Sequence, residues 1–597
     1  MMSTPAPADL SRHLWETRYR ATGVDGAVDA DLDATWWRVA NALASAEPRR
    51  RAHWARAFHA ALADFRFLPG GRILAGAGTR RHVTLFNCFV MGTLGDSLRG
   101  IFRGLEEGAL TMQQGGGAGY DFSPLRPRGS PAGASGAIAS GPVSFMRIWD
   151  SMCATLLSTG ARRGAMMGTL RCDHPDVEEF VDAKRDGRAL RRFNLSVLVT
   201  DAFMDAVARG GAWALVHPAR APGPAGDVVL RAWPGRTGPV RCHVHRTVPA
   251  RALWERIVRA AYDCAEPGVL FLDRIQRTNP LAYAETIATT NPCGEVPLPP
   301  YGACDLGSIN LTRFVRAPFS AKASLDLDGV AALAGVAVRL LDDVYDVSRF
   351  PLRRQGEVAL RSRRLGLGIT GLADAFIMLG ITYGSAASVA LAGDVMRTIR
   401  DAAYRASVAL AREKGPFPCF DAAAHVEGAF VRALPADVVR GIRRYGLRNS
   451  HLTAIAPTGT ISLLAGNVSS GLEPAYAFAM HRTVESGAGA PATYAVEDYA
   501  HRRYRETFGA DAPLPPAFVA AAAVAPRDQL AVQAALQPFV DNAIAKTVNV
   551  PADCAFDEFR GVFDDAFRLG LKGCAAFRPN PVTGAVLVPR EPGAAPA

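Results

Sequence analysis

The sequence lacks several features that would each define a class of protein. Among its 597 residues there is no apolar run long enough to span a membrane, no Cys-x-x-Cys pair and no Walker-type Gly-Lys-Ser/Thr motif. These absences argue against a membrane protein, a thioredoxin-like or zinc-ribbon protein and a P-loop nucleotide hydrolase. The first 33 residues have no apolar core like that of a secretory signal, so a cytoplasmic location is expected.

Lysine is also scarce. The net charge of +11 comes almost entirely from arginine, with only five lysines in the chain. No long basic run or nucleic-acid-binding motif accompanies the charge, so compositional drift explains it better than a nucleic-acid partner does. With 49% hydrophobic and 21% charged residues, the composition is that of a globular protein with a large core.

The hydrophobic pattern changes near residue 67. Residues 10–65 have apolar positions at helical spacing, whereas short apolar strands alternate with amphipathic helices further on. This alternation predicts an α/β core and is compatible with a barrel. The clearest predicted strands are Val83–Val90, Phe193–Val199, Val269–Leu272 and Leu452–Ala456, and the clearest helices are Val330–Val344 and Val389–Lys414.

The segment Asn291-Pro292-Cys293-Gly294-Glu295 places a thiol between an amide and a carboxylate, and Cys304 follows eleven residues later. A cysteine that only packs in a core needs neither neighbour. The pattern suits a hydroxyl-bearing substrate that is held by the amide and deprotonated by the carboxylate. The nearest approach to a metal motif is Cys242-His243-Val244-His245, which lacks a second cysteine pair, so no metal site is predicted.

Two glycine-containing segments are further candidates. The run Gln113–Gly119 lets the backbone approach a ligand closely, although a tight structural turn is as good an explanation. The segment Pro457–Ser462 follows a predicted strand and offers backbone N–H groups and three hydroxyls, which suits a phosphate. An ordinary helix-capping turn would have the same sequence.

Taken together, these segments resemble ribonucleotide reductase, specifically the adenosylcobalamin-dependent (class II) enzymes, from about Leu10 to Leu587. The resemblance implies a ten-stranded α/β barrel over residues 67–578, with a central finger loop that carries the thiyl cysteine. A helical region, 1–66, precedes it and a flexible tail, 579–597, follows. The motifs that carry the resemblance are Phe67–Pro69, Phe86–Cys88, Gly160–Ala165, Asn291–Glu295, Cys304–Leu311, Pro457–Ser462 and Gly471–Pro474.

The resemblance also implies a role for each catalytic residue in reducing ribonucleotides for DNA synthesis and repair. Cys293 would become the thiyl radical that removes the ribose 3′ hydrogen, and Glu295 would be the general base on the 3′-OH. Asn291 would orient the substrate hydroxyls, while Cys88 and Cys304 would supply the electrons and become a disulfide. The implied substrate-binding residues are Asn87, Gly117, Pro457, Thr458, Gly459, Thr460, Ile461 and Ser462.

The resemblance favours a diphosphate substrate over a triphosphate, a choice that the sequence leaves open. Ile73 occupies a position that often supplies a threonine to the substrate, so it is not assigned a role.

A second implied site would bind a dNTP effector that sets substrate choice. It would consist of Asp96, Ser97, Leu98 and Arg126, with Arg162 in the segment that relays the effector's identity to the substrate base. In the family this site forms at a dimer interface, so a homodimer is expected.

The source of the radical follows from two positions near the C-terminus. Where class I enzymes have two tyrosines that relay a radical from a metal subunit, this chain has Ala575 and Ala576. The glycyl-radical class needs C-terminal cysteines, and none follows Cys574. Adenosylcobalamin is therefore the expected cofactor. Because no Asp-x-His-x-x-Gly motif occurs, the cofactor is expected to keep its own benzimidazole ligand.

Three alternatives stay open at this stage. The two alanines argue against a class I-type large subunit. The three cysteines argue against a catalytically silent nucleotide-binding protein, and the missing Cys-x-x-Cys motif argues against a generic thiol oxidoreductase. The absence of cysteine after Cys574 predicts an external dithiol reductant, either a separate Cys-bearing polypeptide or a thioredoxin-like protein. The short N-terminus predicts no overall control by dATP.

Overall fold

The computed structural model describes residues 9–23, 28–132, 137–156, 164–218, 227–484, 492–580 and 588–589. Its helices, numbered in chain order, are α1 Asp9–Leu14, α2 Leu32–Ala44, α3 Arg51–Leu62, α4 Gly71–Gly76, α5 Leu98–Gln113, α6 Pro142–Thr155, α7 Val177–Asp182, α8 Asp201–Arg209, α9 Ala250–Cys264, α10 Leu272–Arg277, α11 Leu327–Val347, α12 Arg353–Ser362, α13 Leu372–Met378, α14 Ala386–Lys414, α15 Ala422–Val426, α16 Ala429–Arg432, α17 Ala436–Tyr445, α18 Gly459–Leu464, α19 Tyr499–Phe508, α20 Pro526–Leu536 and α21 Phe556–Arg568.

The strands alternate with these helices along most of the chain. They are β1 Phe67–Pro69, β2 Cys88–Val90, β3 Gly117–Asp121, β4 Met166–Arg171, β5 Phe193–Val199, β6 Ala212–Pro218, β7 Val228–Ala232, β8 Pro239–Pro249, β9 Gly268–Phe271, β10 Thr289–Thr290, β11 Pro297–Leu298, β12 Ala303–Asn310, β13 Val315–Arg316, β14 Ser324–Leu325, β15 Leu365–Thr370, β16 Ala479–Val484, β17 Ala492–Glu497, β18 Thr547–Asn549, β19 Gly573–Phe577 and β20 Val588–Pro589.

Ten strands form one sheet in the order β1-β12-β2-β3-β4-β5-β9-β19-β18, with β15 paired to β12. Strands β2, β3, β4, β5 and β9 are mutually parallel, and antiparallel pairings join them to β12 on one side and to β19 on the other. Two parallel bridges, Leu367 with Thr453 and Ile455 with Ile544, carry the pairing from β15 towards the segment that leads into β18. The sheet therefore closes into a barrel.

Helices cover the outside of the barrel and bury two large cores. The N-terminal helices α2 and α3 share one core with α11 and α14, in which Phe58, Leu340 and Val395 are fully buried. A second core lies between β3–β5 and helices α6, α9 and α21, around the fully buried Trp149. The predicted α/β barrel with a helical N-terminal region is confirmed.

Several sequence-predicted elements differ in extent. Of the predicted strand Val83–Val90, only residues 88–90 pair in the sheet, and Leu452–Ala456 makes bridges rather than a full strand. The predicted strand Phe193–Val199 and the helices around 330–344 and 389–414 are present. Among the described helices, none combines the length and the apolar character needed to cross a membrane.

Candidate active site

The segment 291–296 is the tip of a hairpin inside the barrel. Its two short strands, β10 and β11, pair antiparallel. The hairpin contacts opposite barrel walls, because Thr289 accepts a hydrogen bond from the Thr169 hydroxyl of β4 at 2.9 Å and the Glu295 carbonyl accepts one from the Ala543 N–H at 2.9 Å. Gly119 on β3 allows this approach, since a Cβ there would lie 1.9 Å from the Thr290 carbonyl oxygen.

Cys293 stands at the end of this hairpin. The turn is closed by a hydrogen bond from the Gly294 N–H to the Asn291 carbonyl, at 3.1 Å, and Gly294 has a φ of +88° that favours glycine. Of the ten cysteines, Cys293 is exposed and the others are buried or half-buried. It lines two cavities, one of about 170 Å³ and one of about 440 Å³. Its thiol therefore separates two spaces.

The smaller cavity contains a cluster of predicted catalytic side chains. The Asn291 side-chain amide donates to the Cys88 sulfur at 3.2 Å, while its carbonyl oxygen accepts from the Val296 N–H at 3.0 Å. The Cys88 thiol in turn points to Glu295 Oε1 at 3.9 Å. Glu295 Oε2 is buried and has no hydrogen-bond partner within the described part of the chain. A ligand hydroxyl could therefore be its partner.

Burial sets the protonation of this cluster. Desolvation raises the pKa of Glu295 to about 7, against the opposing effect of hydrogen bonds from Asn291 and Cys88. Desolvation also raises the pKa of Cys88 and of Cys304 well above the usual thiol value. The nearby Glu295 raises the pKa of Cys88 further, and the nearby Asp305 does the same for Cys304. Both thiols are therefore protonated at neutral pH, while Glu295 can act as a base near pH 7.

Cys88 and Cys304 face each other across two paired strands. They are register partners in the antiparallel pairing of β2 with β12. Directly opposite residues in such a pair have Cα atoms roughly 4.5–5.5 Å apart, which is within the range that a disulfide bridges. The two thiols can therefore form a bond without moving the strands.

The predicted phosphate loop lines the same cavity at the start of α18. Residues 457–461 are in the cavity wall. Thr458 adopts a φ of +54°, and its hydroxyl contacts that of Thr370 at 2.9 Å and accepts the Gly471 N–H at 2.9 Å. Ser462 does not line the cavity, because its hydroxyl donates to the Gly459 carbonyl at 3.0 Å. Ser462 therefore stays a predicted substrate residue that this wall does not include.

The two remaining predicted substrate residues are also in the wall. Asn87 is next to Cys88, and its side-chain oxygen is buried without a hydrogen-bond partner among the described residues. Gly117 is the register partner of Cys88 on β3, where a Cβ would lie 3.1 Å from the Pro292 ring. The glycine therefore leaves room for the tip of the hairpin.

The predicted effector residues lie together at the start of α5. Arg126 donates to the Asp96 carboxylate at 3.0 Å and to the Asp96 carbonyl at 2.9 Å. The Ser97 hydroxyl caps α5 by accepting the Gly100 N–H at 3.1 Å, and Leu98 is 65% exposed. Arg162 lies outside the described residues.

The larger cavity, on the other side of Cys293, has small residues where it meets β19. Ala575 and Ala576 line it together with Gly268 and Gly573, and no histidine is among its described wall residues. Nothing in the sequence alone indicated that these alanines border a space next to Cys293.

Asn194 is a further wall residue that the sequence did not reveal. Its side-chain amide donates to the Pro292 carbonyl at 2.7 Å, the peptide group that precedes Cys293. It thereby fixes the tip of the hairpin from β5, 98 positions earlier in the chain. Its position in an ordinary strand pattern gave no signal of this role.

Comparisons with known proteins point to one family. Residues 86–577 match the family model described as "Ribonucleotide reductase, barrel domain", and residues 6–82 match "Ribonucleotide reductase, all-alpha domain". A vitamin B12-dependent ribonucleoside-diphosphate reductase of Mycobacterium tuberculosis (strain CDC 1551 / Oshkosh) is 39% identical over 93% of this chain and 76% of its own length.

Two further relatives carry similar names. A vitamin B12-dependent ribonucleoside-diphosphate reductase of Thermoplasma acidophilum is 34% identical over 90% of this chain and 66% of its own length. A vitamin B12-dependent ribonucleotide reductase of Streptomyces coelicolor is 28% identical over 84% of this chain and 57% of its own length.

Proposed function

The chain belongs to the ribonucleotide reductase family, and we propose that it reduces ribonucleoside diphosphates to 2′-deoxyribonucleotides in a reaction that depends on adenosylcobalamin. The observation that carries this proposal is the position of Cys293, an exposed thiol that lines two cavities. The smaller cavity holds Cys88, Asn291 and Glu295, and Cys304 is the strand partner of Cys88. Small residues of β9 and β19 line part of the larger cavity. Diphosphate specificity is supported by the names of the relatives from Mycobacterium and Thermoplasma.

Residues of the smaller cavity, together with Cys304 opposite Cys88, would carry out the reaction. The Cys293 thiyl radical takes the 3′ hydrogen atom of the ribose, and Glu295 takes the proton of the 3′-OH. The 2′-OH then leaves as water. Cys88 and Cys304 supply two protons and two electrons, so that one hydrogen enters the water, the other replaces the hydroxyl at C2′, and the thiols become a disulfide. Cys293 finally returns the hydrogen atom to C3′, and Glu295 returns its proton.

The part of the larger cavity formed by β9 and β19 suits a bulky cofactor, and Glu266, Glu473, Lys546 and Lys572 line other parts of the same cavity. Ala575 and Ala576 leave open the space that two tyrosines would fill, and neither alanine can carry a radical. Gly268, Gly573 and the alanines would hold the cofactor beside Cys293, and Asn194 would keep the Pro292–Cys293 peptide in place. Adenosylcobalamin, when bound, would supply by homolysis of its cobalt–carbon bond the radical that oxidises a thiol.

Filling the larger cavity should separate cofactor binding from nucleotide binding. We expect Ala575→Tyr to weaken adenosylcobalamin binding by about 10–100-fold, since overfilling a packed site costs roughly 1–3 kcal/mol. Titration of the cofactor by absorbance measures this effect. The control, Ala575→Ser, should bind the cofactor normally, and both variants should bind CDP as the wild type does. Unchanged cofactor binding by the tyrosine variant would contradict the assignment of this cavity.

Regulation and assembly form the finer part of the proposal. Asp96, Ser97, Leu98 and Arg126, with Arg162, would bind a dNTP effector at a homodimer interface. Exposed apolar side chains on α5 support this, because Leu98 is 65% and Phe102 50% exposed on one face of the helix. An external dithiol protein would reduce the Cys88–Cys304 disulfide. A cytoplasmic location stays a prediction.

The proposal is tested by an assay with defined components. The purified chain is incubated with dithiothreitol and either CDP or CTP, with and without adenosylcobalamin and each dNTP. We expect deoxynucleotide formation that requires adenosylcobalamin and is faster with CDP. Formation without the cofactor, dependent instead on an iron or manganese subunit, would contradict the proposal and favour a class I-type large subunit.

A further inference from the structure

Arg72 projects into the smaller cavity from α4, which follows β1. It is the only lysine, arginine or histidine among the described residues of that cavity wall. Its guanidinium group lies beside the glycine run, because a Cβ on Gly115 would be 2.5 Å from Arg72 Cζ and 2.6 Å from Nη1. The φ of Gly115, +98°, also favours glycine. Because residue 115 is glycine, the wall has room for the Arg72 guanidinium at this position.

The strand order shows which side of the cavity Arg72 occupies. Cys88 and Cys304, on β2 and β12, are in the middle. The phosphate loop follows residues 452–455, which pair with β15 on the far side of β12. Gly115 leads into β3, on the opposite side of β2. A nucleotide whose ribose lies at the two thiols and whose phosphates lie at the loop therefore places its base towards Gly115 and Arg72.

The neighbours of Arg72 agree with a base-binding wall. Met112, Gly164 and Ala165 line the same cavity. A Cβ on Gly164 would lie 3.0 Å from the Met112 sulfur, so Gly164, which lies just before β4, is close to Met112 in this wall. An apolar thioether and a guanidinium in one wall provide a surface for a flat ring and N–H donors for its polar edge.

We propose that Arg72 contacts the base of the substrate and is a specificity-determining residue for the choice among ribonucleotides. This inference rests on the proposed function. The guanidinium donates hydrogen bonds to acceptor atoms on the base edge, such as the carbonyl oxygens of cytosine, uracil and guanine. Adenine offers only ring nitrogens as acceptors, so the contribution of Arg72 differs among the four substrates. A guanidinium that served only the phosphates, which all substrates share, would contribute equally to each.

Two substitutions at Arg72 distinguish these roles. Arg72→Lys keeps the positive charge but not the planar fork, whereas Arg72→Gln keeps an N–H donor without the charge. The kcat and KM of wild type and variants are measured for ADP, CDP, GDP and UDP, each with the dNTP that best activates the wild type. We expect the relative kcat/KM values of Arg72→Lys to shift between ADP and the other three substrates by about tenfold, as loss of a guanidinium–base pair does. Arg72→Gln should shift them less.

The control is Arg353→Gln, because Arg353 is 90% exposed on α12 and away from the cavity. Its four kcat/KM values should equal those of the wild type. Equal losses of kcat/KM for all four substrates, with Arg72→Lys retaining more activity than Arg72→Gln, would show a phosphate contact and overturn the inference. Unchanged kcat/KM values in both variants would also overturn it. A wild type that reduces none of the four would instead overturn the proposed function.

Discussion

Replacing Cys293 with serine is expected to abolish deoxynucleotide formation. The loss should be about 10⁴-fold or more, the scale reached when a residue that carries the chemistry itself is removed. Serine keeps the size and polarity of the side chain, but its O–H bond is too strong to yield a radical that serves as a hydrogen acceptor. Product formation with CDP, adenosylcobalamin and dithiothreitol measures the effect.

Binding should survive this substitution, because Cys293 is exposed and hydrogen bonds at Thr289, Pro292 and Glu295 hold the hairpin. The affinity for CDP and the thermal unfolding temperature should therefore match the wild type. Cys419→Ser is the control, since Cys419 is half-buried and lines neither cavity beside Cys293. Retention of one tenth or more of wild-type turnover by Cys293→Ser would contradict a radical role for this thiol.

Replacing Glu295 with glutamine is expected to lower kcat/KM by about 10²–10⁴-fold at pH 8, the usual contribution of a general base. The pKa of Glu295 is raised to about 7 by burial, and a base must be ionised to act. The wild-type kcat/KM should therefore rise as the pH increases through about 7 and level off above it. The glutamine variant should lack this rise. Glu357→Gln, at a half-exposed carboxylate on α12, is the control.

The same pKa shift has a consequence for stability. Between pH 4.5 and about 7 the folded protein binds a proton at Glu295 that the unfolded chain has lost, so stability decreases as the pH rises through this range. Glutamine cannot lose a proton. We therefore expect Glu295→Gln to be more stable than wild type at pH 8, by on the order of 3 kcal/mol, and similar to it at pH 4. Equal unfolding free energies at pH 8 would contradict the burial of an ionised carboxylate.

Sequence periodicity predicted the helices and strands that bury one apolar face in the core. The helix around Leu333, Ala337 and Leu340 is present because these side chains are buried in the core. The predicted strand Val83–Val90 is shorter because side-chain hydroxyls take two of its backbone N–H groups. The Leu85 N–H donates to the Ser348 hydroxyl and the Phe86 N–H to the Thr84 hydroxyl. A partner as distant in the chain as Ser348 leaves no pattern in the sequence.

The candidate site was predictable to the extent that motifs carry it. Asn291, Cys293 and Glu295 were identified from their spacing, and the structure places Cys88 and Cys304 opposite each other. Closure of the barrel brings these segments together, and periodicity does not specify closure. Asn194 reaches the site from β5, where no motif is near it, and Arg72 reaches it from α4, where the preceding motif Phe67–Pro69 does not include it. Their positions follow only from tertiary structure.

We propose that Cys293 starts a reaction whose electrons come from Cys88 and Cys304. This proposal is tested most directly by turnover without a reductant. The reduced protein is given CDP and adenosylcobalamin, quenched under acid, and digested for mass spectrometry of its disulfides. We predict one Cys88–Cys304 disulfide for each dCDP formed, and neither disulfide nor dCDP with Cys293→Ser. Formation of dCDP while Cys88 and Cys304 remain reduced would contradict this account.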